Sequence, residues 1–158
     1  MKPNLLRIAA TLLLAATWAG PALGEAGKTP YWASINVEEV NMRVGPGEDY
    51  RIAWVYHRKQ LPLKVLRLKE GWRFVEDHDG TRGWMLAQFL SRKRTAIVRG
   101  EGPADMRETA DVASKLRWRL APGVTGVLGA CEANWCEFDI EGRKGHVPQD
   151  RLWGAGEP

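Results

Sequence analysis

Nucleophiles, bases and metal ligands are scarce in this sequence. Its 158 residues include only two cysteines and three histidines. The histidines, His57, His78 and His146, fall at a predicted strand end, in a turn and in a strand, without the shared spacing of a metal site. A hydrolase would need a cysteine and histidine pair, a serine triad or a metal cluster with its partners within reach. We therefore expect no enzymatic activity, no metal site and no other cofactor.

The sequence also lacks an apolar run of the roughly 20 residues that a membrane span requires. The apolar run at 8–18 follows Lys2 and Arg7 and precedes Ala22-Leu-Gly24, which offers small residues at both positions that signal peptidase inspects. We interpret residues 1–24 as a signal peptide, cleaved after Gly24, rather than as a retained membrane anchor. This interpretation predicts a periplasmic or secreted protein without a membrane span.

A strong excess of one charge is missing as well. The formal net charge of +4 falls to +2 when Lys2 and Arg7 leave with the signal peptide. Basic residues are interspersed with acids, and Arg92-Lys-Arg94 is the only basic run. We interpret this run as a solvated linker between two domains, and we expect no nucleic-acid partner.

The two cysteines, Cys131 and Cys136, have four residues between them. This spacing allows them to face each other across a β-hairpin, where paired residues lie close enough for a disulfide. A metal pair and a redox couple are the alternatives, but a zinc site needs four ligands and redox pairs usually read Cys-x-x-Cys. We predict a structural disulfide.

A glycine-rich loop at Gly45-Pro-Gly47 joins two predicted β-strands. Glycines on both sides of a proline allow positive φ around a residue whose own φ is fixed, which is typical of a tight turn. In the following strand, 52–56, Ile52, Trp54 and Tyr56 line one face and apolar residues also line the other. Such a strand is buried on both faces, or it presents aromatic side chains to a partner.

Further strands alternate in the same way. The acids Glu76, Asp77 and Asp79 surround an Asp-Gly turn, a strong hairpin signal, and we expect them to be solvated. The remaining predicted elements are a strand at 35–40 with a bulge before Val40, strands at 61–68, 72–76 and 82–86, and a helical turn at 87–90.

The pattern recurs in the second half of the chain. The equivalent residues, 62 to 64 positions apart, are Met42-Arg43 and Met106-Arg107, Trp54 and Trp118, Trp72 and Trp135, Gly83 and Gly145, and Leu90 and Leu152. We predict domains at 33–92 and 93–154, an N-terminal segment at 25–32 before them and a tail at 155–158 after them. Helical spacing of apolar residues leaves open whether 107–116 is a loop or a helical turn.

Several motifs of the first copy occur in a fixed order. They are Asn41-Met-Arg-Val-Gly-Pro-Gly47 with Tyr50, Trp54-Val-Tyr56, Leu61-Pro-Leu63, Gly71-Trp-x-x-Val75 and Asp79-Gly-x-x-Gly-Trp-Met85. This order resembles the bacterial SH3 domain family, and the second copy, with Cys131-x-x-x-Trp-Cys136, is similar to a disulfide-bearing variant. The resemblance implies an all-β fold of two small SH3-like β-barrels in tandem, each five-stranded, after a signal peptide. It also implies recognition of peptidoglycan or of envelope proteins, often beside a hydrolase domain that this sequence does not contain.

Aromatic residues are the candidate binding groups. Trp72, Trp84 and Trp135 lie in predicted central strands, and we expect them in the cores. The residues that we expect to form a binding surface are Arg43, Tyr50, Trp54, Tyr56 and Trp118. Exposed aromatic rings stack on sugars and peptides. Our hypothesis is a non-catalytic envelope module that binds peptidoglycan or a periplasmic protein. The alternative is a structural or assembly partner without a glycan ligand, in which aromatics such as Trp54 and Trp118 are buried between the barrels or against another protein. The sequence does not indicate the oligomeric state.

Overall fold

The computed structural model describes residues 28–158, which form two antiparallel β-sheets. The predicted signal peptide lies outside the described residues. The first sheet contains β1 (Tyr31–Ile35), β2 (Val40–Arg43), β3 (Ile52–Tyr56), β4 (Pro62–Lys69), β5 (Trp72–Glu76), β6 (Arg82–Leu86) and β7 (Leu90–Ser91). The second contains β8 (Thr95–Val98), β9 (Ala104–Arg107), β10 (Leu116–Leu120), β11 (Thr125–Glu132), β12 (Trp135–Ile140), β13 (Arg143–Pro148) and β14 (Leu152–Trp153).

The two sheets have the same topology. The first has the order β3-β2-β6-β5-β4-β1-β7, and the second has the order β10-β9-β13-β12-β11-β8-β14. A single 3-10 turn precedes the last strand of each sheet, at Ala87–Phe89 and at Gln149–Arg151. The prediction of an all-β tandem fold is confirmed. Each sheet has seven strands instead of the expected five, because short strands at both ends of each repeat also pair.

A glycine and a methionine pack together in each core, which explains two landmarks of the repeat. Met42 and Met106 are fully buried. A Cβ atom at Gly145 would lie 2.7 Å from Cγ of Met106, and one at Gly83 would overlap the side chain of Met42. Only glycine leaves room for the methionine side chain at this position, so both residues recur together.

The amino-terminal strand differs from the prediction. We predicted a single bulged strand at 35–40. The structure instead has two strands, β1 and β2, which are separated by residues 36–39. Strand β1 begins at Tyr31, inside the segment predicted at 25–32, and it pairs with β4 and β7. The bulge lies further on, between Met42 and Arg43 in the pairing of β2 with β3.

The connection between β9 and β10 contains no helix, although its apolar spacing allowed one. Its backbone hydrogen bonds repeat those of the glycine-rich loop of the first copy. Glu108 N donates to Lys115 O at 2.9 Å, as Val44 N donates to Arg51 O at 3.1 Å. In the second loop, the Asp111 carboxylate also accepts from Ala113 N at 2.8 Å. Side-chain capping therefore forms the turn that glycine and proline form in the first copy.

Cys131 and Cys136 are directly opposite each other in the pairing of β11 with β12. They form a disulfide with an S–S distance of 2.03 Å, so the predicted bond is confirmed. No helix within residues 28–158 is long and apolar enough to cross a membrane.

Strand β8 connects the two barrels. All four of its residues are buried, and successive side chains of a strand point to opposite faces. Ala96 and Val98 belong to the second core, whereas Ile97 belongs to the first. Beside this strand, Trp32 contacts Trp153 edge to face, with ring centroids 4.8 Å apart. The barrels therefore pack through β8 and this tryptophan pair.

Candidate binding surface of the first barrel

The first barrel carries exposed apolar side chains on strand β3 and on the loop before it. Strand β3 lies at the edge of its sheet and pairs only with β2. The exposed residues, which we call the aromatic surface, are Val44, Tyr50, Ile52, Trp54 and Val55. Trp54 is 58% exposed and Tyr50 is 50% exposed. Large apolar groups at this level of exposure, grouped on one element, are typical of an interaction site.

The glycine-rich loop holds the Tyr50 ring in position. The loop is closed by hydrogen bonds from Gly47 N to Gly45 O at 3.1 Å and from Tyr50 N to Gly47 O at 3.3 Å. A Cβ atom at Gly45 would overlap the Tyr50 ring, and one at Gly47 would lie 3.2 Å from its Cδ2 atom. The ring therefore lies directly on the loop backbone, and its other side remains open to solvent.

Arg43 supports this loop. Its guanidinium donates to the carbonyl oxygen of Tyr50 at 2.7 Å. In the second barrel, Arg107 donates to the carbonyl oxygen of Ser114 at 2.8 Å. The structure places Arg43 at the border of the loop, as predicted, and the repeated bond indicates that one function of this arginine is to anchor the loop.

Tyr56 does not belong to the exposed surface, so the expectation of its exposure was wrong. It is 7% exposed, and its hydroxyl donates to Oδ2 of Asp77 at 2.6 Å. Burial, together with this hydrogen bond and the nearby carboxylate charge, raises the pKa of the Tyr56 hydroxyl.

Asp77 is 5% exposed, so the expectation that it is solvated was also wrong. Its Oδ1 atom accepts from Asp79 N at 3.0 Å and from Thr81 N at 2.8 Å. The carboxylate thus closes the turn between β5 and β6 and binds the tyrosine at the same time. These contacts account for its burial, because a buried carboxylate requires hydrogen-bond partners.

Trp118 is far less accessible than its counterpart in the first copy. It is half-buried and packs against the second core, whereas Trp54 projects into solvent. Both tryptophans lie beside an equivalent bulge, opposite Met106 and Met42. Neither tryptophan packs between the barrels, so Trp54 and Trp118 do not form the inter-barrel contact of the alternative hypothesis.

A groove of about 340 Å³ opens beside the loop of the first barrel. Its lining residues are Glu39, Val40, Asn41, Arg43, Glu48, Trp72, Leu86, Gln88 and Phe89. Carboxylate, amide and guanidinium groups therefore surround the indole ring of Trp72. We define this cavity as the polar groove. Its combination of hydrogen-bonding groups and two aromatic rings, Trp72 and Phe89, is suited to a polar ligand with a flat apolar face.

The expectation that Trp72, Trp84 and Trp135 lie in the cores was wrong, since all three are half-buried. Strand alternation explains this: Val75 points into the core, so its neighbours Phe74 and Glu76 point outward, as does Trp72. Trp84 contacts Phe74 in a tilted orientation, with ring centroids 5.2 Å apart and 49° between the ring planes. The alternation of inward and outward side chains around Val75 could have predicted from the sequence that Trp72 points outward, into the groove.

No group of three or more His, Cys, Asp or Glu side chains in residues 28–158 is arranged to hold a metal ion. The second barrel differs on the face that carries this aromatic pair in the first. His146 stands where the first copy has Trp84, and Glu137, its neighbour across the strands, stands where the first copy has Phe74. The two barrels therefore present different chemistry on equivalent strands.

The repeated sheet order and the glycine-rich loop define a tandem of small β-barrel modules. The sequence model of the bacterial SH3 domain family matches residues 36–91 and 100–154 of this chain. The chain belongs to the bacterial SH3 domain family, and it contains two copies of the domain.

The chain is also similar to parts of solved structures. NlpC2 from Trichomonas vaginalis is 13% identical, with a TM-score of 0.36 over 81% of this chain and 49% of that chain. An NlpC/P60 family protein from Bacillus cereus is 10% identical, with a TM-score of 0.36 over 77% of this chain and 55% of that chain. The chain thus matches about half the length of these structures. No curated protein matches the chain.

Proposed function

We propose that this protein is a non-catalytic binding module of the cell envelope, which recognises peptidoglycan or a periplasmic protein through its first barrel. The observation that carries the proposal is the 58% exposure of Trp54 on an edge strand. A ring of this size with more than half of its surface exposed contributes little to folding. It offers a large, rigid contact area to a ligand at a small cost in conformational entropy.

The loop geometry supports ligand binding. Arg43 and the flanking glycines fix the backbone below Tyr50, so the ring is oriented before a ligand arrives. A preorganised aromatic side chain loses less conformational freedom on binding than a mobile one. The polar groove adds hydrogen-bonding groups around Trp72 on the same barrel. A glycan chain presents both ring faces and hydroxyl groups, and it therefore suits this combination.

The disulfide supports location outside the cytoplasm, because such bonds persist in oxidising compartments. Family membership supports a binding function in the envelope. A protein ligand is the second candidate, and it is favoured by the open edge of β3, where an extended segment can add as a further strand.

Co-sedimentation with purified peptidoglycan tests the proposal. The disulfide-bonded protein is compared with Trp54→Ala and with Val112→Ala, which removes an exposed apolar side chain from the equivalent loop of the second barrel. Val112 is 74% exposed. Measurements at low and high salt separate stacking from electrostatic adsorption.

We expect retention at high salt that Trp54→Ala reduces by about tenfold and Val112→Ala leaves unchanged, since aromatic stacking is worth roughly 1–3 kcal/mol. Absence of retention by the unmodified protein would refute the glycan ligand and leave the protein ligand. Equal loss in both variants would refute the assignment of the aromatic surface.

A further inference from the structure

The basic run at 92–94 lies against aromatic rings where the two barrels meet. The guanidinium carbon of Arg92 is 3.3 Å from the ring centroid of Tyr31. The Lys64 ammonium is 5.6 Å from the ring centroid of Trp32. We define the junction crevice by the residues Tyr31, Trp32, Lys64, Arg73, Arg92 and Arg94. Lys64 thus lies over the Trp32 ring, whereas Arg92 lies over the Tyr31 ring and Arg73 donates to the Tyr31 hydroxyl at 3.2 Å.

Two adjoining cavities open in this region. One of about 330 Å³ is lined by Tyr31, Trp32, Arg92, Arg94 and Pro158, and one of about 150 Å³ is lined by Tyr31, Ala33, Arg73, Ala87, Leu90, Ser91 and Arg92. No aspartate or glutamate side chain lines either cavity. By contrast, Glu39 and Glu48 line the polar groove.

None of the four cations forms an ion pair among the described residues, although Lys64 lies directly opposite Glu76 in the pairing of β4 with β5. The ion pairs found within residues 28–158 involve other lysines, arginines and histidines. Partial burial lowers the pKa of Arg94, although its side chain remains exposed at the surface. Arg92 lines both cavities, beside Arg73 in one and Arg94 in the other, and an anion bound there would offset the repulsion between these guanidinium groups.

The basic run is the exposed linker between the two barrels that the sequence predicted, and hydrogen bonds hold its backbone in place. Ser34 Oγ donates to the carbonyl oxygen of Lys93 at 3.0 Å, and Lys93 N donates to Ser91 Oγ at 3.2 Å. Arg94 donates to the carbonyl oxygen of Gly154 at 2.8 Å. The backbone that carries the cations is therefore ordered before any ligand binds, which lowers the entropy cost of binding.

We propose that the junction crevice binds an oxyanion, either a carboxylate or a phosphate group of an envelope ligand, with Arg92 as its principal contact. A guanidinium group offers paired N–H donors that match the geometry of both oxyanions. Tyr31 and Trp32 provide an apolar wall for the part of the ligand that carries the anion. This site lies apart from the aromatic surface, and it does not depend on the proposed glycan ligand.

Backbone NMR titration of the disulfide-bonded protein tests this site. Inorganic phosphate and acetate are the probes, with chloride added to hold the ionic strength constant. Arg92→Gln and Lys64→Gln remove crevice charges, while Arg143→Gln is the matched control at an exposed arginine of β13. Preserved amide signals of the core show that each variant is folded.

We expect saturable shifts at the amides of Tyr31 and Arg92, and an affinity about tenfold lower in Arg92→Gln but unchanged in Arg143→Gln. Stronger binding of phosphate than of acetate indicates a phosphorylated ligand, and stronger binding of acetate indicates a carboxylate. Shifts that do not saturate, or equal weakening in Arg143→Gln, would overturn the proposal. Trp54→Ala is expected to bind phosphate normally, so this result is independent of the peptidoglycan experiment.

Discussion

The buried pair of Tyr56 and Asp77 offers a quantitative test of the first barrel. Tyr56→Phe removes a hydrogen bond of 2.6 Å to a carboxylate, and it leaves the volume of the ring unchanged. Hydrogen bonds to charged groups contribute about 1.5–3 kcal/mol, so we expect a loss of about 2 kcal/mol in the free energy of unfolding. Tyr50→Phe is the matched control, because Tyr50 is half-exposed, and we expect a change below about 0.5 kcal/mol there.

Asp77→Ala removes the acceptor of two backbone N–H groups as well as the tyrosine contact. We expect a loss of about 3–4 kcal/mol, since donors at the turn lose their partner. Both single variants remove the same tyrosine contact. The double variant should therefore lose about 1–2 kcal/mol less than the sum of the two single losses.

Urea unfolding followed by tryptophan fluorescence measures these differences. The reasoning would be refuted by a loss below about 0.5 kcal/mol in Tyr56→Phe, or by additive losses in the double variant. Either result would mean that the tyrosine and carboxylate do not stabilise the fold through their mutual contact.

Three other perturbations have defined outcomes. The pKa of Tyr56 is raised in the folded protein, so near pH 10 its hydroxyl ionises in the unfolded chain but stays protonated in the folded one. The free energy of unfolding should therefore fall above about pH 10. Tyr56→Phe should reduce this fall, as measured by urea titration. Gly45→Ala should displace the Tyr50 ring and weaken ligand binding. Gly71→Ala is the control, because the space around Gly71 is open and ligand binding should not change. Equal binding by both variants would contradict the role of the Tyr50 ring. Replacing both cysteines by alanine should lower stability by about 2 kcal/mol in chemical unfolding, and an unchanged midpoint would count against a stabilising disulfide.

Local patterns predicted the strands well where one face is buried. Leu63 and Val65 are fully buried, and the strands at 72–76 and 82–86 have the predicted bounds. The glycine-methionine pairs explain why the repeat was readable, since each repeat must keep both residues to fill the same core. The second loop shows the limit of this reasoning, because capping by Asp111 gives the same backbone as Gly45-Pro-Gly47 without any shared residue.

The positions that were predicted wrongly depend on contacts between distant segments. Strand β1 forms because residues near Tyr31 pair with β4. The local sequence at 25–32 cannot predict this pairing, since the partner strand lies more than 30 residues away. Asp77 is polar and lies at a turn, and its burial depends on its bonds to Tyr56 and to the backbone of Asp79 and Thr81. Among the predicted site residues, exposure of Tyr50 and Trp54 agrees with the expectation, while the ligand itself remains a proposal.

The position of Ile97 has a consequence for the order of folding. This side chain completes the core of the first barrel, although it follows the last strand of that barrel in the chain. The Trp32 indole also donates to the carbonyl oxygen of Gly156 at 3.0 Å, which closes a loop of more than 120 residues. Contacts between such distant residues form slowly, because the chain must first lose the entropy of closing the loop. The first barrel therefore completes its folding only after the second has been synthesised. A chain that ends at residue 92 should expose an apolar face to the solvent, and binding of a hydrophobic dye would detect this face.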